Sequence, residues 1–167
     1  MMNKVFKFKH TSKVSPSQTA GQIHALLVRL GAKNIATSIE DGEISSMAFI
    51  YDHDGTEIAY RLPIRWKPIW QSMKDEVENK PRRRTMGEKE MQRLVEKTKE
   101  QAKRTAWRIA LEWLRIQVAF VETGARDILE VFMADIIAPG TDLTLGEVVK
   151  ERGIAALMLP EPVMDGD

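Results

Sequence analysis

Between Gly87 and Gly124 the chain contains neither proline nor glycine. These are the two residues that most readily interrupt a helix, proline by lacking a backbone donor and glycine by its conformational freedom. One helix of roughly 36 residues, about 54 Å at 1.5 Å per residue, is therefore expected. Thr85-Met86-Gly87-Glu88 carries the capping-box spacing at its start. The two halves of this helix call for different surroundings. Up to about Arg104 only Met91, Leu94, Val95 and Ala102 form an apolar stripe, so the first half should be mostly solvated. Beyond it run two heptad-spaced seams, Trp107, Leu111, Leu114, Val118, Val121 and Ala106, Ile109, Trp113, Ile116, Phe120. They lie about 100° apart around the axis, which requires packing on two sides. A seam left open in a single copy would point to self-association or to a partner helix.

The residues before this helix predict a small antiparallel sheet with one helix packed on it. Lys4 to Lys9 alternates Phe6 and Phe8 with lysines, the period of a strand. Ser15-Pro16-Ser17-Gln18 combines an N-cap with proline at the first helical position, and Gly31 supplies the stop of a helix over Pro16 to Leu30. Asn34 to Glu40, Ile44 to Asp52 and Thr56 to Leu62 follow as strands, with Asp41-Gly42 and Asp54-Gly55 between them. Asp-Gly supplies the positive φ of tight hairpins, so these three form a meander. Pro63 ends the last strand, and Trp66, Trp70, Met73 and Val77 put an apolar face on a short helix beginning near Pro68. Glu78 to Arg84 has no apolar residue other than Pro81 and marks a linker. The expected fold is α+β, a β-α-β-β-β unit over residues 1–78 followed by a helical region over 79–167.

After the long helix, a further helix is expected from about Arg126 to Ile137, stopped by Pro139-Gly140. Thr144-Leu145-Gly146-Glu147 caps a last short helix ended by Gly153, the apolar run Ile154 to Leu159 should dock somewhere, and Pro160 to Asp167 forms an acidic tail that frays.

The formal net charge of +1 conceals a sorting of charge along the chain. From Lys80 to Arg108 there are 11 Lys/Arg against 4 Glu, and from Glu122 to Asp167 there are 10 acidic residues against 3 basic ones. Lys89, Arg93 and Lys97 repeat at i+4, stacking like charges at a cost of a few tenths of a kcal/mol per pair. Arg82, Arg83 and Arg84 crowd a helix N-terminus that is already partially positive. Local stability given up in this way points to an anionic partner, and nucleic acid matches the charge density. The plainer alternative is a solvated face neutralised by Glu88, Glu90, Glu96 and Glu100. No aromatic residue interleaves the basic run, so base stacking is not expected there.

Other chemistries find no support. The chain has no cysteine, which removes disulfides, thiolate zinc sites and cysteine nucleophiles and agrees with a cytoplasmic location. His10, His24 and His53 do not share a helical face, and Asp52-His53-Asp54-Gly55 is accounted for as a hairpin turn instead of a calcium loop. No phosphate loop, nucleophile elbow or dinucleotide fingerprint occurs, and no cofactor is implied. Ile109 to Val121, the longest nearly apolar stretch, is too short and too polar to span a bilayer, and the N-terminus lacks a continuous apolar signal core. Glu112 lies with Arg104, Arg108, Arg115 and Glu122 in a polar stripe that either lines a groove or forms i+3 and i+4 ion pairs facing solvent. The four tryptophans, Trp66, Trp70, Trp107 and Trp113, sit at helical spacing within apolar stripes, as core residues do.

The run Ala106-Trp107-Arg108-Ile109, followed by Trp113, Gln117, Glu122-Thr123-Gly124 and Glu130-Val131-Phe132, resembles a family of small uncharacterised proteins encoded by bacteriophages and mobile elements. In that family a helix and a three-stranded meander precede a basic linker and this helical signature, so the resemblance covers most of the chain. It implies a viral or mobile-element setting and brings no activity with it. The expected function is that of a non-enzymatic nucleic-acid-associated accessory protein in phage replication, recombination or packaging. Arg82, Arg83, Arg84, Lys89, Arg93, Lys97 and Arg104 are its expected phosphate contacts. The alternative is a protein-interaction module, such as a host-factor inhibitor or a structural subunit, using the solvated half of the long helix or the acidic C-terminal region.

Overall fold

The computed structural model describes residues 12–79 and 86–157. Its elements are α1 (Pro16–Leu30), β1 (Asn34–Glu40), β2 (Glu43–His53), β3 (Thr56–Arg61), α2 (Trp66–Glu78), α3 (Glu88–Glu122), α4 (Ile128–Phe132) and α5 (Leu145–Arg152). The fold is α+β, with a three-stranded antiparallel sheet of order β1-β2-β3 and one long helix. The strand expected over Lys4 to Lys9 lies outside the described residues.

Local chemistry sets most of these boundaries. Ser15 caps α1 by accepting from the Gln18 N–H at 3.3 Å. Gly31, at φ 96°, ends it in a Schellman motif in which the Gly31 and Ala32 amides donate to the Val28 and Leu27 carbonyls. Both hairpins turn on residues with positive φ, Asp41 (51°) and Gly42 (78°), then Asp54 (51°) and Gly55 (91°). Two left-handed residues in succession are the signature of a type I′ turn, whose twist matches that of the strands it joins. The Gly55 N–H also donates to the Asp52 carboxylate at 2.6 Å, tightening the second turn.

One face of the sheet is the core face. Phe49 of β2 stacks on Tyr60 of β3 with ring centroids 5.0 Å apart, and Phe132 of α4 closes on both edge-on at 5.5 and 5.9 Å. Ile23 and Leu27 of α1 and Leu111, Leu114 and Val118 of α3 complete the cluster, all fully buried. Residues from both sides of the basic linker therefore share one core.

The structure differs from expectation at several ends. α3 begins at Glu88 with Gly87 as its N-cap and no side-chain cap, so the capping box at Thr85, itself outside the described residues, does not set the start. α2 begins at Trp66, two residues before Pro68, because the first four N–H groups of a helix have no partner and proline is tolerated there. The helix expected over Arg126 to Ile137 contracts to α4 and a 3₁₀ turn, Met133–Asp135. Ile136 and Ile137 are instead extended along the outer edge of β3, where the Ile137 N–H donates to the Ala59 carbonyl at 2.8 Å. The unpaired edge of β3 competes for this segment, and pairing with it ends the helix. Ile154, the first residue of the segment expected to dock, is 75% exposed, and Met158 and Leu159 lie outside the described residues.

The largest difference concerns the two seams of α3. Trp107, Leu111, Leu114 and Val118 are buried as expected. In the second seam Ala106 is buried and Trp113 half-buried, but Ile109, Ile116 and Phe120 are exposed. α2 packs against α3 with Trp66, its first residue, beside Lys99 and Lys103, and it does not reach beyond that point. The same face of α3 is thus covered along its first half and bare along its second.

Candidate nucleic-acid interface

Helical geometry gathers four of the expected phosphate contacts. At 100° per residue, Lys89, Arg93, Lys97 and Arg104 fall within an arc of about 80° on α3. Lys89, Arg93 and Lys97 are exposed, Arg104 is half-buried, and none of the four makes an ion pair with another described residue. Arg82, Arg83 and Arg84 lie outside the described residues.

The remaining cations of this helix are engaged elsewhere. Lys103 binds Glu43 of β2 at 2.6 Å and Glu100 at 3.0 Å, and the hydrogen bond to Glu43 does most to hold its ammonium above the usual lysine range. Lys99 pairs with Glu96 at 3.7 Å, and the ammonium groups of both lysines stand over the Trp66 ring at 6.0 and 5.9 Å. Arg108 meets Glu112 at 2.7 Å, and Arg115 meets the same carboxylate at 3.0 Å. The stripe around Glu112 is therefore a run of ion pairs on the solvent side, and Glu122 at its end pairs with Arg29 of α1 at 2.7 Å. Charges that serve the fold are thereby separated from charges that do not. Of the acids expected to neutralise the stripe, Glu96 and Glu100 turn instead to Lys99 and Lys103.

Sequence reasoning missed two arrangements. His53 Nε2 lies 2.6 Å from the hydroxyl of Tyr60, whose burial pushes that hydroxyl up to about 12. Asp135, in the turn after α4, is pushed up to about 6, chiefly by burial, with the nearby Arg65 opposing and Glu147 adding to the shift. It borders a small cleft of about 80 Å³ with Arg61, Arg65 and Glu147, where Arg61 binds Asp142 at 2.6 Å and Arg65 binds Glu147 at 3.3 Å. The spacing of Arg61 and Arg65 around Pro63 was the available signal, but their carboxylate partners lie some 80 residues away. Among the described residues no group of three or more acids and histidines could hold a metal ion, and no helix is long and apolar enough to cross a membrane.

Compared with protein-family models, curated proteins and solved structures, the chain has no significant match. The fold class, α+β with a meander and a long helix, is thus defined by the chain's own geometry.

Proposed function

We propose that the protein is a non-enzymatic nucleic-acid-associated accessory factor that grips the phosphate backbone with Lys89, Arg93, Lys97 and Arg104, together with Arg82, Arg83 and Arg84. The observation that carries this is the segregation of cations on α3: four share one face without a carboxylate partner among the described residues, while Lys99, Lys103 and Arg108 are neutralised. A row of cations without a carboxylate partner among the described residues suits a polyanion with regularly spaced charges, and their flexible stems carry no base-reading geometry. Binding is therefore to backbone and not to sequence. The resemblance to phage and mobile-element proteins fits a role in replication, recombination or packaging.

Gel-shift titration with single- and double-stranded DNA and RNA at two salt concentrations tests the proposal. Binding that weakens steeply with salt and differs little between sequences is expected. No binding to any of the four at low salt would discard it in favour of a protein-interaction module, a second reading supported by the bare apolar row of Ile109, Ile116 and Phe120.

A further inference from the structure

The bare part of the second seam has definite bounds. Trp66 of α2 stands beside Lys103 at one end, and α3 stops at Glu122 at the other. Between them Ile109, Trp113, Ile116 and Phe120 succeed one another at steps of 4, 3 and 4, the spacing of a coiled-coil seam. Ile116 is 56% exposed and Phe120 41%. Trp113 is braced from behind by Phe132, edge-on at 5.5 Å, so the row has a rigid floor. Isolated apolar residues on a surface need no explanation, but a continuous heptad-spaced row does.

We propose that this row is a homodimer interface, in which α3 of one copy packs antiparallel on α3 of a second copy about a two-fold axis lying between Trp113 and Ile116. The row is its own complement when reversed. Steps of 4, 3 and 4 are the same in both directions, so Ile109 meets Phe120 of the second copy while Trp113 meets Ile116. A two-fold interface requires this self-complementarity.

Charge selects the same arrangement. One edge of the row carries Arg108, Glu112 and Arg115, joined at 2.7 and 3.0 Å. Two-fold antiparallel packing sets this edge against itself, which brings Glu112 of each copy beside Arg115 of the other. The charge sorting along the chain acts at longer range. Antiparallel packing directs the basic first half of each α3 past the end of the other copy's helix, where residues 122–132 carry Glu122, Asp127 and Glu130 against Arg126. Parallel packing would lay the two basic halves side by side, and their mutual repulsion opposes it.

Because the chain has no cysteine, single-cysteine variants report on this geometry directly. Light scattering on the full chain should give twice the mass of one chain, and Ile116→Glu should halve it while leaving the far-ultraviolet circular dichroism unchanged, since Ile116 is exposed within one copy. Under mild oxidation a mixture of Ile109→Cys and Phe120→Cys chains should form the mixed disulfide, whereas Phe120→Cys alone should not cross-link. A single-chain mass for the unmodified protein at about 100 μM, a concentration at which association of about 5.5 kcal/mol or more would be detected, would overturn the proposal and leave the row to a different protein. An Ile116→Glu chain that stays dimeric would overturn the interface, and self-cross-linking of Phe120→Cys would overturn the antiparallel direction.

Discussion

Leu114→Ala and Ile116→Ala remove the same number of carbons two residues apart on one helix, yet they should differ severalfold in cost. Leu114 is fully buried against the α1 and sheet core, and Ile116 is 56% exposed. Each truncation deletes three carbons, a transfer loss of about 2.4 kcal/mol when fully buried, at about 0.8 kcal/mol per carbon. At Leu114 the cavity left in a close-packed core adds to this, giving about 3–4 kcal/mol. At Ile116 less than half of the side chain is withdrawn from water and no enclosed cavity forms, so the cost is about 1 kcal/mol. Urea unfolding followed by circular dichroism measures both, at a concentration where light scattering reports single chains. The midpoint should fall about three times further for Leu114→Ala with the slope unchanged in both. Equal costs would refute the claim that one seam of α3 is core and the other surface.

Asp135→Asn should stabilise the fold at neutral pH. Burial raises the Asp135 carboxyl from 3.8 to about 6, so the folded state holds a proton that the unfolded chain has released, and stability falls as pH rises through that window. Discounted for partial exposure, the gain at pH 7 is on the order of 1 kcal/mol and should vanish below pH 4, as thermal melting at the two pH values will show. Thr144→Ala removes the hydroxyl that accepts from the Glu147 N–H at 3.3 Å at the start of α5 and should cost about 1 kcal/mol. In a scanning calorimeter that corresponds to a melting temperature lower by about 2–4 °C. Tyr60→Phe deletes the hydroxyl 2.6 Å from His53 Nε2 but keeps the ring stack on Phe49, so a loss of only about 1 kcal/mol is expected in urea unfolding.

Where the fold was legible, a residue's own chemistry set the boundary. Asp41-Gly42 and Asp54-Gly55 turn because they tolerate positive φ, Ser15 and Gly31 bound α1, and Thr144 with Glu147 starts α5. α3 was legible from the lack of any breaker, and it ends at Gly124 in the motif that also closes α1. What was not legible depends on distant partners. Nothing local to Ile136 and Ile137 says that the edge of β3, some 80 residues earlier, will draw them out of a helix. Periodicity counted two apolar seams on α3 but could not say that α2, whose first residue Trp66 stands beside Lys103, leaves the second half of one of them bare.

The candidate site has the same character. Lys89, Arg93 and Lys97 were identifiable as an i+4 row, and their exposure follows from lying on the face of α3 opposite Met91, Thr98 and Ala102, the face on which α2 packs. That Lys99 and Lys103, in the same basic run, are diverted to Trp66 and Glu43 is a tertiary fact, invisible to a count of charge. Burial of Asp135 likewise comes from the packing of the segment after α4 on β3 and α5.

The salt dependence of nucleic-acid affinity, measured by fluorescence anisotropy for the unmodified chain and for a variant with Lys89, Arg93, Lys97 and Arg104 all changed to Gln, tests the central claim most directly. Glutamine keeps helix propensity at these positions, so the fold should persist. If the four cations neutralise phosphates, log affinity against log salt should flatten by up to about 3–4 for the variant, at about 0.7 to 0.9 for each phosphate no longer neutralised. Identical affinity and slope for the two proteins would contradict the account.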